Sequence, residues 1–175
     1  MGLIQIKVTI EIMDNLSEEA FSDTKWLHCV EDLINRDEVL KMKNFKHHMN
    51  TTCFEHCVHV SYLSYKFLEK RGVDGRSVAR VGLLHDLFLY QREDLKPRIK
   101  RVTHIFTHGK IALAHAESIT VLSKKEQRAI KRHMFPLTLI PSVSKEGIAI
   151  CFYDKVCCFK EITNKFRRKG NGKRI

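Results

Sequence analysis

The sequence predicts an all-α helical bundle, and three observations carry that expectation. From about residue 16 to residue 165 the apolar residues recur at helical spacing. Helix punctuation falls between the segments: Gly72 stands where a helix should stop, and Ser123 with Glu126 forms the two ends of a capping box. Only residues 3–12, LIQIKVTIEI, alternate apolar and polar as a strand does, and nothing later offers a partner strand. The expected organisation is an N-terminal extension over 1–15, strand-like or disordered, then a helical domain over 16–165 and a basic tail over 166–175. A start at Met13 would make residues 1–12 an upstream addition.

The elements follow in order. SEEAFSDTKWLHCVEDLI carries Phe21, Trp26, Leu27, Val30, Leu33 and Ile34 near helical spacing, and DEVLKMK adds another turn. TTCFEHCVHVSYLSYKFLEKRG predicts a long amphipathic helix ending at Gly72, a favourable residue just past a helix. DGRSVARVGLLHDLFLY predicts the next helix, more buried towards its end. Residues 91–107 are polar and basic, contain Pro97, and predict a surface loop. GKIALAHAESITVL predicts a short Ala-rich helix, and SKKEQRAIKRHM a capped helix ended by Pro136. After a turn at Pro141, KEGIAICFYDKVCCFKEITNKF predicts a last, largely buried helix.

Composition narrows the function classes. The formal net charge of +11, from 31 Lys plus Arg against 20 Asp plus Glu, favours anionic partners such as phosphorylated metabolites, nucleotides or nucleic acid. Part of that excess sits in the tail KFRRKGNGKRI, which lacks the interleaved aromatics of a nucleic-acid platform and predicts a disordered, solvated end. Six cysteines form no CxxC pair, and the N-terminus has no signal-peptide pattern, so reduced thiols in a cytoplasmic protein are expected. No apolar run approaches the roughly 20 residues that span a bilayer.

Chemistry enters at VGLLHDLFLY, residues 81–90, where His85 and Asp86 interrupt seven apolar or aromatic residues. A helix this apolar should be buried, and a buried carboxylate without a partner costs several kcal/mol. A divalent cation supplies the missing positive charge. His56, His85, Asp86, His108, His133 and Asp154 occur in that order, on or beside five successive helical segments, and helical bundles build metal sites from such inward-facing donors.

EHCVHVSYLSY, VARVGLLHDLFLY and DKV together resemble the HD-domain metal-dependent phosphohydrolase superfamily, whose signature is His, then His-Asp, then a distant Asp. The resemblance covers about residues 40–160. HHMNTTCFEH, LLHDLFLYQ, FTHGKIALAHAE, KRHMFPLT and YDKVCCFKE are also similar to blocks of small, stand-alone bacterial HD hydrolases. It implies that residues 16–165 are an HD domain and that His56, His85, Asp86 and Asp154 ligate a first metal. His108 and His133 would bind a second ion, with Asp86 bridging the pair. The subgroup reads His-Pro where this chain has His108-Gly109, which implies a looser loop before the following helix.

The implied activity is hydrolysis of a phosphomonoester, phosphodiester or nucleotide by metal-activated water, with Asp86 and His85 at the catalytic centre. The implied cofactor is one or two divalent ions of Mn, Fe, Co, Ni or Zn, and the partner a phosphorylated small molecule or nucleotide. Lys110, Lys155, His104 and His48 are candidate substrate contacts, although a lone Lys in so basic a chain is more often simply solvated. The same ligand order also serves di-iron oxygenases on this fold, and a catalytically silent basic binding module is the non-enzyme alternative.

Bland readings stand beside these. His59 lies three residues after His56 on the same helix face, so spacing alone leaves the two equivalent, and only the resemblance selects His56. His104 would share the His108 face only if its helix began earlier than the sequence suggests. His47 and His48 precede the ligand helix and suit a pocket wall or a solvated loop equally well. His28 and His115 read as structural, Tyr90 as a rim residue, and Cys53 and Cys57 as small buried hydrophobes rather than soft ligands.

Overall fold

The computed structural model describes residues 15–48, 51–89 and 98–171, with side chains over 15–47, 51–89 and 106–163. The strand-like stretch at 3–12 and Tyr90 lie outside the described residues. The fold is all-α, as the spacing predicts. Eight α-helices are described: α1 Leu16–Ser22, α2 Thr24–Val30, α3 Asp37–Lys41, α4 Cys53–Glu69, α5 Gly75–Leu84, α6 Arg98–Ile119, α7 Lys124–Arg132 and α8 Lys145–Asn171. A 3-10 turn, Met42–Asn44, and a small antiparallel pair, β1 Lys46–His48 with β2 Thr51–Thr52, lead into α4. No described helix is long and apolar enough to cross a membrane.

The centre of the bundle is α4, packed on α5 and α8, while α5 also meets α2, α7 and α8. Two close approaches make that packing possible. A Cβ on Gly82 would lie 2.8 Å from the Ser61 backbone nitrogen, so only glycine lets α5 press onto α4. At the same crossing Ser61 donates to the Ala79 carbonyl and accepts from the Trp26 indole, so α2, α4 and α5 are joined by two buried hydrogen bonds. Arg80, the next residue along α5, ties it to its surroundings: its guanidinium pairs with Asp32 and Glu126 and donates to Thr120.

Several sequence expectations are corrected. The first predicted helix is two, because Asp23 is extended and caps α2 through the amides of Lys25 and Trp26. The surface loop expected over 91–107 is helical from Arg98, directly after Pro97, so α6 runs 22 residues in one piece. Gly109 therefore sits inside a helix rather than after a loose loop, and a Cβ there would lie 2.8 Å from the Lys131 carbonyl of α7. The last helix continues into the basic tail, to Asn171, where a disordered end was expected. It is also less buried than its composition suggests: Ile148, Phe152, Phe159 and Ile162 are exposed.

Candidate metal centre

Helix ends and caps place the candidate residues. The capping box of Thr52 and Glu55 starts α4 and puts His56 one turn inside it. The Cys53 thiol lies 3.1 Å from the Asp86 carbonyl and ties the start of α4 to the residue just past α5. His85 and His133 are the C-cap residues of α5 and α7. Helix ends leave carbonyls without intrahelical partners, and each ring takes one. His85 Nδ1 donates to Gly82 at 2.7 Å, and His133 Nδ1 to Ile130 at 2.7 Å. Both bonds put the proton on Nδ1 and turn the Nε2 lone pair into the interior. The negative end of each helix dipole also favours a cation there.

Two clusters meet at Asp86. In the first, Asp154 Oδ1 lies 3.3 Å from His56 Nε2 and 3.8 Å from His85 Nε2. In the second, Asp86 Oδ1 lies 3.4 Å from both His108 Nε2 and His133 Nε2, and those two nitrogens are 2.9 Å apart. The other oxygen, Asp86 Oδ2, is 3.9 Å from His85 Nε2 and so faces the first cluster. His56, His85, Asp154 and Asp86, His108, His133 are thus two groups whose donor atoms converge closely enough to hold an ion each. All six residues are buried.

The donors fit a divalent transition metal. His56 Nε2, His85 Nε2 and Asp86 Oδ1 are buried with no hydrogen-bond partner, an arrangement that costs free energy unless a cation accepts their lone pairs. All six are nitrogen or oxygen donors, which suit Mn, Fe, Co, Ni or Zn. Electrostatics match. Burial opposes ionisation of Asp86 and Asp154, yet the surrounding imidazoles hold both carboxyls well below the usual range. Burial alone would lower His56 and His85, but Glu161, Asp154 and Asp86 overcome it and hold both rings well above the usual imidazole value. The clusters therefore attract positive charge, as protons or as metal.

The structure separates the remaining candidates. His59 is not in either cluster: its Nε2 pairs with Ser17 at 2.9 Å, and burial beside His56 pushes its pKa down to about 4. Lys155 stands at the rim, half-exposed, with its ammonium donating to the His133 carbonyl at 3.2 Å and 3.8 Å from Asp154. Lys110 is exposed, and two residues from His108 it lies across α6 from the buried cluster. Because α6 begins at Arg98, residue 104 lies one turn before His108 in the same helix, meeting the condition set by the sequence; of His104 and His48 only the backbone is described. His28 pairs with Glu31 and His115 with the Leu87 carbonyl, both away from the clusters.

Sequence reasoning left His47 undecided and missed Glu161 and Cys158. His47 is buried, with Nε2 3.1 Å from Asp86 Oδ2. Glu161 takes His56 Nδ1 at 2.8 Å and His47 Nδ1 at 3.2 Å. Cys158 lies 3.4 Å from Asp154 Oδ1 and converges with His47 and His56. A signal was present: Cys158 and Glu161 follow Asp154 by one and two helical turns, on the same face. All six cysteines are free, and Cys53, Cys57 and Cys157 are fully buried. Comparison with family models, with curated proteins and with solved structures finds no match for the chain.

Proposed function

We propose that this chain is a metal-dependent phosphohydrolase of the HD type, cleaving a phosphate ester of a small molecule or nucleotide. The observation that carries the reading is Asp86, a buried carboxylate whose two oxygens face two separate donor clusters. His56, His85, Asp86 and Asp154 would hold one divalent ion, and Asp86, His108 and His133 a second. A bound ion lowers the pKa of a coordinated water towards neutrality and offsets charge developing on phosphoryl oxygens.

The chain's own residues prepare for that chemistry. Gly82 and Ile130 hold the His85 and His133 protons on Nδ1, so each ring already turns Nε2 to the interior, and an entering cation displaces only the protons at Nε2. Leu84, Leu87, Ile130 and Ile150 are fully buried in the surrounding core, which keeps bulk water from the donors and strengthens their electrostatics. Among the described residues, Lys155, beside Asp154, is a cation placed to meet a substrate phosphate.

The test is phosphate release from a panel of phosphomonoesters, phosphodiesters and nucleotides with added Mn²⁺, Co²⁺, Ni²⁺ or Fe²⁺, beside elemental analysis of the purified protein. Activity that disappears in both His85→Ala and Asp86→Ala supports the reading. Activity indifferent to both would sink it. Oxygen uptake by iron-loaded protein without phosphate release would replace it with the oxygenase alternative, and protein that takes up no metal would leave the binding module.

A further inference from the structure

We infer that Glu161 is a positioning residue that orients His56 and, through His47, couples the two donor clusters. The inference rests on the metal centre proposed above and names what holds His56, which stands inside a helix rather than at its end. His85 and His133 lie at helix ends, where the Gly82 and Ile130 carbonyls can accept their Nδ1 protons. His56 stands inside the 17-residue α4, where the backbone carbonyls are committed to the helix, so its Nδ1 proton needs a side-chain acceptor. Glu161 provides it at 2.8 Å. With the proton held at Nδ1, the His56 lone pair is at Nε2, on the side of Asp154 and His85.

The second carboxylate oxygen extends the effect. Glu161 Oε2 meets His47 Nδ1 at 3.2 Å, and His47 Nε2 meets Asp86 Oδ2 at 3.1 Å. The His47 and His56 rings are stacked, with centroids 3.7 Å apart and planes 21° from parallel, so neither ring can turn without displacing the other. Contacts thus run from Asp154 through His56, Glu161 and His47 to Asp86, joining a carboxylate of one cluster to that of the other. The Glu161 side chain is only 7% exposed, so both oxygens are committed to this pair of imidazoles rather than shared with solvent. Its place two turns after Asp154 in α8 makes the spacing of ligand and orienter a property of a single rigid helix.

The experiment is Mn²⁺ titration of metal-free protein, read by the electron paramagnetic resonance of the free ion, for wild type, Glu161→Gln and Glu161→Ala. Circular dichroism checks the fold of each. Loss of an outer-sphere partner typically weakens metal affinity about 10–100-fold, and that is the expected change in both variants. The second measurement needs no variant to fold: in Zn²⁺-loaded wild-type protein, nitrogen-15 spectra should place the His56 proton on Nδ1. Wild-type protein that binds Mn²⁺, with both variants binding it within twofold, overturns the positioning role and leaves the metal centre standing. So does a His56 proton on Nε2. Wild-type protein that binds neither ion overturns the centre itself and the inference with it.

Discussion

At the scale of the residue, what separates the candidate donor histidines is what holds the other ring nitrogen. His56 and His59 are three residues apart on one face, yet only His56 has Nδ1 on a carboxylate and Nε2 beside Asp154, whereas His59 points to Ser17. The two residues therefore separate in a single measurement. In Mn²⁺ titrations, His56→Ala should lose more than the roughly 10–100-fold typical of an outer partner, because a donor itself is gone. His59→Ala should bind within about twofold of wild type, since its ring pairs with Ser17 and joins neither group of donors. Equal losses in the two variants would put the wrong histidine in the centre.

At the scale of the element, two glycines set how closely the ligand helices approach. A methyl on Gly82 would strike the Ser61 backbone and push α5, with His85 at its end, off α4. Overpacking of this kind costs about 1–3 kcal/mol, so Gly82→Ala should lower the urea midpoint accordingly. Gly109 lies beside His108, and its missing Cβ leaves room for the Lys131 and Ile130 carbonyls of α7, two and three residues before His133. Gly109→Ala should therefore widen the 2.9 Å separation of the two histidines and weaken the Asp86, His108, His133 cluster more than the other. A variant that retains two-ion Mn²⁺ binding at wild-type strength would contradict this account. The proline that the resemblance expects at 109 would sit badly here, because α6 is already helical for eleven residues before that point.

At the scale of the whole molecule, stability should respond to metal and to acid. An ion that binds only the folded chain stabilises it by about 2.7 kcal/mol at a concentration 100 times its dissociation constant. Mn²⁺ should raise the melting temperature of wild-type protein, a chelator should reverse the rise, and Asp86→Asn should show neither change. Acid should also act through paired carboxylates outside the two donor groups. Burial opposes ionisation of Asp32 and Glu146, but Arg80 with Arg76 and Lys125 respectively hold both below their usual pKa. A carboxylate depressed by folding contributes stability above its unfolded pKa, near 4, and loses it as pH falls through the folded value. The melting temperature should thus fall as pH drops below about 5, and Asp32→Asn should flatten part of that fall. A melting temperature independent of pH from 6 to 3 would refute the assignment.

Local chemistry was legible in the sequence because its causes are local. Helical spacing announced the all-α class, the capping pair Ser123–Glu126 marked a helix start, and the isolated His85–Asp86 pair in an apolar run required a buried partner. The six candidate donors were named from their order along the chain together with the resemblance, which alone chose His56 over His59, and the structure gathers them into two groups of three. What sequence could not supply was the partner of each nitrogen. Glu161 and His47 are 114 residues apart, and no periodicity links them; only the packing of α8 and β1 against α4 brings the two together. Local pattern likewise misread 98–107, where polarity suggested a loop and the backbone is helical from Arg98; residues 91–97 lie outside the described ones. Composition made the last helix look buried, but a face is buried only if another element covers it, and none of the described ones covers Ile148, Phe152 or Phe159. The sequence by itself determined the helical class and which residue types were present to bind a cation. Tertiary packing decided which lone pairs converge, because the direction of a lone pair depends on the hydrogen bond at the opposite side of the ring.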